Sequence, residues 1–241
     1  MSAFRVSPGS QEEQVGRLII AAVLVTALPS LPLGNYLIYP FTILTTWFHE
    51  MGHGLTALAL GLDFDQLVIL SDGSGYAESV SQGEVSRVSS ALIAAGGPIG
   101  PSLAGALLIL ASSRHDFWKP ALFALAGFIA LSVLIWVRSA TGLIVLPLVA
   151  ATLGWTAWRG ANWLRLFVLQ FLGLLGAMSM FRDWDYLFSE SAVIGGRPML
   201  SDTGAIEAGL FLPHWVWAIV IIALSAAMIG ASLKYALNRQ G

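Results

Sequence analysis

His49-Glu50-Met51-Gly52-His53 sets two imidazoles four residues apart with a carboxylate between them. Residues four apart share one face of a helix, so both rings can reach a single metal ion while Glu50 lies beside it. The chemistry this spacing predicts is metal-assisted hydrolysis, in which His49 and His53 hold zinc and Glu50 is the general base toward an attacking water. The chain has no cysteine, which excludes disulfides, thiolate ligands and a cysteine nucleophile together. Any metal must therefore be held by nitrogen and oxygen.

Catalytic zinc commonly takes three protein ligands and keeps one position open. Two acidic residues are candidates for the third. Asp183 closes a long apolar stretch, with Asp185 just behind it, and Asp202 lies in Leu200-Ser201-Asp202-Thr203. Whichever of Asp183 and Asp202 does not bind the metal is placed to hydrogen-bond a ligating histidine. His115, in a short charged loop, and His214, beside Pro213, are weaker candidates.

The elements that must position these groups are membrane helices. Of 241 residues, 56% are hydrophobic and 11% charged, and the mean hydropathy is +0.76. A helix needs about 20 apolar residues to cross the hydrocarbon. Stretches near 16–36, 40–61, 89–112, 119–138, 140–158, 161–182 and 213–235 meet that need. The expected fold class is an all-α polytopic membrane protein of about six to seven transmembrane helices, forming one domain over residues 1–241. Seven is the central number, and six follows if Pro29 and Pro32 end the first stretch early. That first span reads as retained rather than cleaved, since it outlasts a secretory h-region.

Two connections carry structure or charge. Gln66–Leu70 and Gly75–Val80 flank Ser71-Asp72-Gly73-Ser74, a turn sequence that predicts a β-hairpin over 66–80, capping the helix bundle. Residues 183–212 hold several charges and no apolar run long enough to cross, so they form an extramembrane or re-entrant loop. Lysine and arginine counts on the two sides tie, which leaves the orientation open. Eight of the tryptophans lie near span ends, as an interfacial belt requires, and carry no chemistry here. A net charge of −2 with no nucleic-acid motif excludes nucleic acid as a partner.

Competing readings of the histidine pair need weighing. The three motif side chains could simply hydrogen-bond to neighbouring helices, and Gly52, Gly54 and Ala57 would suit close packing. A charge at the centre of a membrane helix costs roughly 2.5–3.5 kcal/mol, however, and a divalent cation supplies the compensation that Glu50 needs. A metal transporter would spread ionisable groups through several spans, and outside the motif these interiors are nearly free of them. An inactive scaffold would have no chemical use for Glu50.

The His49–His53 motif inside a span, a hairpin after it and a following span opening Ala95-Gly96-Gly97-Pro98 resemble the site-2 protease family of intramembrane zinc metalloproteases. The closest likeness is to its small site-2-protease-like, or peptidase B-like, branch. Ser74-Gly75 is similar to a Ser-Gly pair of that branch's hairpin, Ser201-Asp202-Thr203 to a late Ser-Asp-Ala element, and Asp183 to an aspartate after the preceding span. Pro213 and Trp217 follow in the expected order. The family's Leu-Asp-Gly element is absent, and Pro101 stands where its Gly-Pro-x-x-Asn pattern has asparagine. The resemblance implies a zinc-dependent endopeptidase acting on membrane-embedded proteins or peptides, with one zinc ion. It also implies substrate binding by Ser74, Gly75, Gly97 and Pro98, and a multi-pass location in the lipid bilayer of a bacterial cell membrane.

Overall fold

The computed structural model describes residues 11–27 and 31–238. Along the chain run α1 (Gln11–Ala27), α2 (Gly34–Ala59), β1 (Asp63–Ile69), β2 (Gly75–Val80), α3 (Arg87–Ser112), α4 (His115–Ile135) and α5 (Ala140–Arg159). There follow α6 (Asn162–Arg182), α7 (Trp184–Leu187), β3 (Ser191–Ile194), β4 (Arg197–Leu200), α8 (Asp202–Gly209) and α9 (His214–Asn238). The fold is polytopic and all-α, as expected, with two small antiparallel hairpins.

Among the described residues, five spans, formed by α3, α4, α5, α6 continued into α7, and α9, are long and apolar enough to cross a membrane. The first apolar stretch differs from the expected 16–36: its helix is described over Gln11–Ala27, and residues 34–36 already belong to α2. Pro29 lies outside the described residues, and Pro32 sits in the turn before α2, where a fixed φ and a missing N–H disfavour continued helix. At 26 residues α2 is also long enough to cross. Its absence from the five has a local cause, because His49, Glu50 and His53 dilute its hydropathy.

Helix α3 crosses α2 almost backbone to backbone. A Cβ on Gly52 would fall onto the carbonyl oxygen of Gly96, and one on Gly100 would lie 2.5 Å from that of Phe48. Glycine at these positions lets the motif-bearing face of α2 meet α3 with no side chain between them. Pro98 and Pro101 do not break α3, which is continuous through both. Gly54 fulfils a different need, since its missing side chain leaves room for the Phe64 ring of β1. Behind the motif, Trp47 is fully buried, and its indole N–H donates to the Ser132 hydroxyl of α4 at 2.9 Å.

The first hairpin, predicted over 66–80, spans Asp63 to Val80 and does more than cap the bundle. It runs back alongside α2, so that its turn reaches Tyr39 and Thr46. The Tyr39 hydroxyl donates to the Ser71 carbonyl at 3.0 Å, and the Thr46 hydroxyl to that of Gly73 at 2.5 Å. The outer edge of β1 is covered: Leu67 N–H donates to the Trp136 carbonyl at 2.8 Å, and its carbonyl accepts from Arg138 N–H at 2.9 Å. Strand groups point alternately to either side. Since Leu67 pairs with Ala77 yet bonds away from β2, the N–H and C=O groups of Gly75, Ala77 and Ser79 face the open edge of β2.

The 183–212 connection is built rather than loose. It holds α7, the β3–β4 hairpin with Gly195 and Gly196 both at positive φ in its turn, and α8. The turn touches the first hairpin, since a Cβ on Gly195 would lie 3.1 Å from a methyl of Leu70.

Candidate metal centre

Helix α2 presents His49, Glu50 and His53 together because the i, i+4 spacing sets both imidazoles on one face. The ring centroids of the two histidines are 4.9 Å apart. The Nδ1 of His53 is 2.7 Å from the Ile93 carbonyl of α3. A carbonyl can only accept, so Nδ1 carries the proton and Nε2 is left to face the cleft.

Asp202 reaches both rings from the far end of the chain. Its Oδ2 lies 3.0 Å from His49 Nε2, and its Oδ1 lies 3.2 Å from His53 Nε2. Local structure fixes it there. Ser201 caps α8, its hydroxyl accepting from Gly204 N–H at 3.0 Å and donating to the Ser189 carbonyl, while the Thr203 hydroxyl donates to the Leu187 carbonyl at 2.8 Å. Asp202 thereby opens a helix, where the dipole favours negative charge. Both hydroxyls flanking it are tied back to the segment after α6.

The donor set fits a divalent cation. One nitrogen from each histidine and a carboxylate oxygen all lie within 4.8 Å of one another. Asp202 is buried with its two oxygens set against the two ring nitrogens, a costly place for a carboxylate that a cation relieves. Nitrogen and oxygen donors in this number suit zinc.

Asp183 takes a different place. It is the exposed C-cap residue of α6 and stands outside the three-residue group, although it shares a cavity with His49 and Glu50. Of the expected substrate-binding residues, Gly75 packs on Glu50: a Cβ there would be 3.2 Å from Glu50 Cγ. Ser74 donates its backbone N–H and hydroxyl to Asp72 Oδ1 at 2.9 and 2.7 Å and lines the same cavity as Asp183. Gly97 lies directly under the histidines, and Pro98 is buried within α3. His115 meets Trp118 edge-on at the start of α4, while His214 contacts Glu207 Oε2 at 2.8 Å. Neither is in the group.

Two cavities meet at Glu50, which is 5% exposed. One, of about 370 Å³, is bounded by β2, the start of α3 and the β3–β4 hairpin. The other, of about 290 Å³, is lined by Thr42, Thr46, Ser74, Ser179 and Asp183. The open edge of β2 faces the first of them, with the Ala77 N–H directed toward Glu50. Tyr186, from α7, lines both cavities, its ring centroid 6.3 Å from that of His49. Nothing in the sequence signals Tyr186, because α7 is too short for periodicity to mark a face.

The family model described as Peptidase M50B-like matches residues 17–232. The chain belongs to the Peptidase M50B-like family. No curated protein and no solved structure matches it. Membership agrees with the site-2 protease likeness read from the motifs. With five candidate spans, this Peptidase M50B-like chain is an integral membrane protein.

Proposed function

We propose that the protein is a zinc-dependent intramembrane endopeptidase that hydrolyses peptide bonds of membrane-embedded substrates. The convergence of His49, His53 and Asp202 beside Glu50, in a cavity faced by an open strand edge, carries this reading. His49, His53 and Asp202 would hold the metal. Zinc bound there supplies Lewis acidity, polarising a carbonyl and lowering the pKa of water toward about 7.

The chain's own groups do the rest. A helical substrate must unwind before cleavage, because its backbone groups are already paired. The outward backbone groups of Gly75 and Ser79, with the Ala77 carbonyl, would take up the unwound segment by strand addition, laying it past Glu50, which the Ala77 N–H faces. Glu50 accepts the proton of the attacking water and delivers it to the leaving amine. Burial between two hairpins keeps bulk water from competing for these groups. Family membership favours membrane proteins or peptides as substrates, and the likeness to the small branch favours a bacterial cell membrane.

The test is cleavage of a membrane-embedded reporter by purified, zinc-reconstituted protein. Glu50→Gln is expected to keep zinc and lose cleavage, while His49→Ala loses both. A zinc-loaded wild type that cleaves no better than Glu50→Gln across a panel of substrates would overturn the enzyme reading.

A further inference from the structure

The two cavities share only a few lining residues, and His49 and Glu50, between which the reading above lays the substrate, are among them. Besides those two, the shared residues are Gly75, Ile194 and Tyr186. Gly75 offers only backbone groups, which strand pairing uses, and Ile194 is apolar. Tyr186 is thus the one shared residue bringing a neutral side-chain O–H to the junction. Its ring meets that of His49 edge-on, at an interplanar angle of 72°. The phenol lies against Asp202, within hydrogen-bonding reach of it.

We propose that the Tyr186 hydroxyl donates the hydrogen bond that holds the substrate carbonyl oxygen while the peptide bond is attacked. This rests on the protease reading above. As the water oxygen bonds to the carbonyl carbon, its proton passes to Glu50 and the carbonyl π electrons move onto oxygen. Tyr186 donates to that oxyanion without giving up its own proton. When the C–N bond breaks, the electron pair returns to the carbonyl, and Glu50 delivers its proton to the amine. A donor fixed where charge develops acts on the transition state more than on bound substrate.

The position of α7 suits the task. It follows α6 directly through Asp183 and is tied to α8, since the Leu187 carbonyl accepts the Thr203 hydroxyl. The donor and Asp202 are therefore held by one connected segment.

The experiment compares wild type with Tyr186→Phe, both zinc-reconstituted. The expected result is a fall in kcat of about 10²–10³-fold, the usual cost of one oxyanion donor, with KM within about threefold. Zinc affinity and melting temperature stay unchanged. A second readout needs no turnover: binding of a phosphinic peptide, whose tetrahedral oxygens imitate the oxyanion, weakens on the same scale. Binding of the parent peptide, measured in the Glu50→Gln background, does not change. Retained kcat with retained phosphinic-peptide affinity would overturn the proposal. So would a Tyr186→Phe protein whose losses track loss of zinc, since Tyr186 would then only brace Asp202. If the wild type itself cleaves nothing, the protease reading falls, and the phosphinic-peptide comparison still decides the role of Tyr186.

Discussion

Gly97 of α3 lies directly beneath His53 of α2, so close that a Cβ on Gly97 would overlap the Nε2 atom of His53 and come within 2.7 Å of His49 Nε2. The space a methyl group would take is the space the two imidazole nitrogens use. Gly97→Ala is therefore expected to turn both rings while leaving the helix intact. Alanine favours helix, and the obstacle is side chain rather than backbone. Zinc affinity should fall at least about 10–100-fold, the range found when the support of a ligand is lost. Titration with a competing chelator measures it, and circular dichroism checks that helix content holds.

The two carboxylates near the histidines make a matched pair of variants. Asp202 is buried against both rings, whereas Asp183 is exposed at a helix end and lines a cavity with His49 and Glu50. Asp202→Asn keeps the shape and removes the charge, and should lower zinc affinity by more than the ~10–100-fold that supporting residues cost. Asp183→Asn should leave zinc stoichiometry unchanged. The opposite pattern would make Asp183 the ligand.

What could be read from the chain follows the distance over which each feature is encoded. His49 and His53 are legible together because one helical repeat relates them. The long helices are legible because an apolar run is a local property, and the boundary between the first two is where the reading departs from the structure, since α2 begins at Gly34 rather than near 40. Asp202 was one of two candidates for a physical reason: which acidic residue of a long connection folds back on a helix about 150 residues earlier is decided by tertiary packing. The depth of the first hairpin against α2, the direction of the β2 edge and the placement of Tyr186 depend on register and docking, which composition does not encode.

Glu207 offers a test of how α8 is joined to α9. Its Oε2 accepts the His214 backbone N–H at 2.7 Å and contacts His214 Nδ1 at 2.8 Å, satisfying an amide that opens α9. The His214 amide, then its ring, hold the Glu207 carboxyl below the ordinary glutamate range. A depressed carboxylate contributes stability that is complete above its unfolded value, about 4.3, and is lost as pH falls through the lower folded value. Hydrogen-exchange protection of the His214 amide, corrected for the intrinsic rate, should fade over that acidic window. In Glu207→Gln, which keeps an acceptor oxygen and cannot titrate, protection should be flat with pH.

Two glycine variants separate packing from helix propensity. Gly52 meets backbone: a Cβ there would lie on the Gly96 carbonyl oxygen and 3.2 Å from Gly100 Cα, and neither can rotate away. Gly154, inside α5, has nothing within 4 Å of the corresponding position. Gly154→Ala is therefore expected to be neutral or to stabilise by up to about 1 kcal/mol, since alanine is the better helix former. Gly52→Ala has the same propensity gain but must push α2 from α3. That overpacking costs about 1–3 kcal/mol and moves the motif against Asp202. Unfolding in mixed detergent micelles should rank Gly154→Ala at or above wild type and Gly52→Ala below it, with zinc affinity reduced only in Gly52→Ala. Equal stability of the two variants would mean that the α2–α3 crossing is looser than backbone contact.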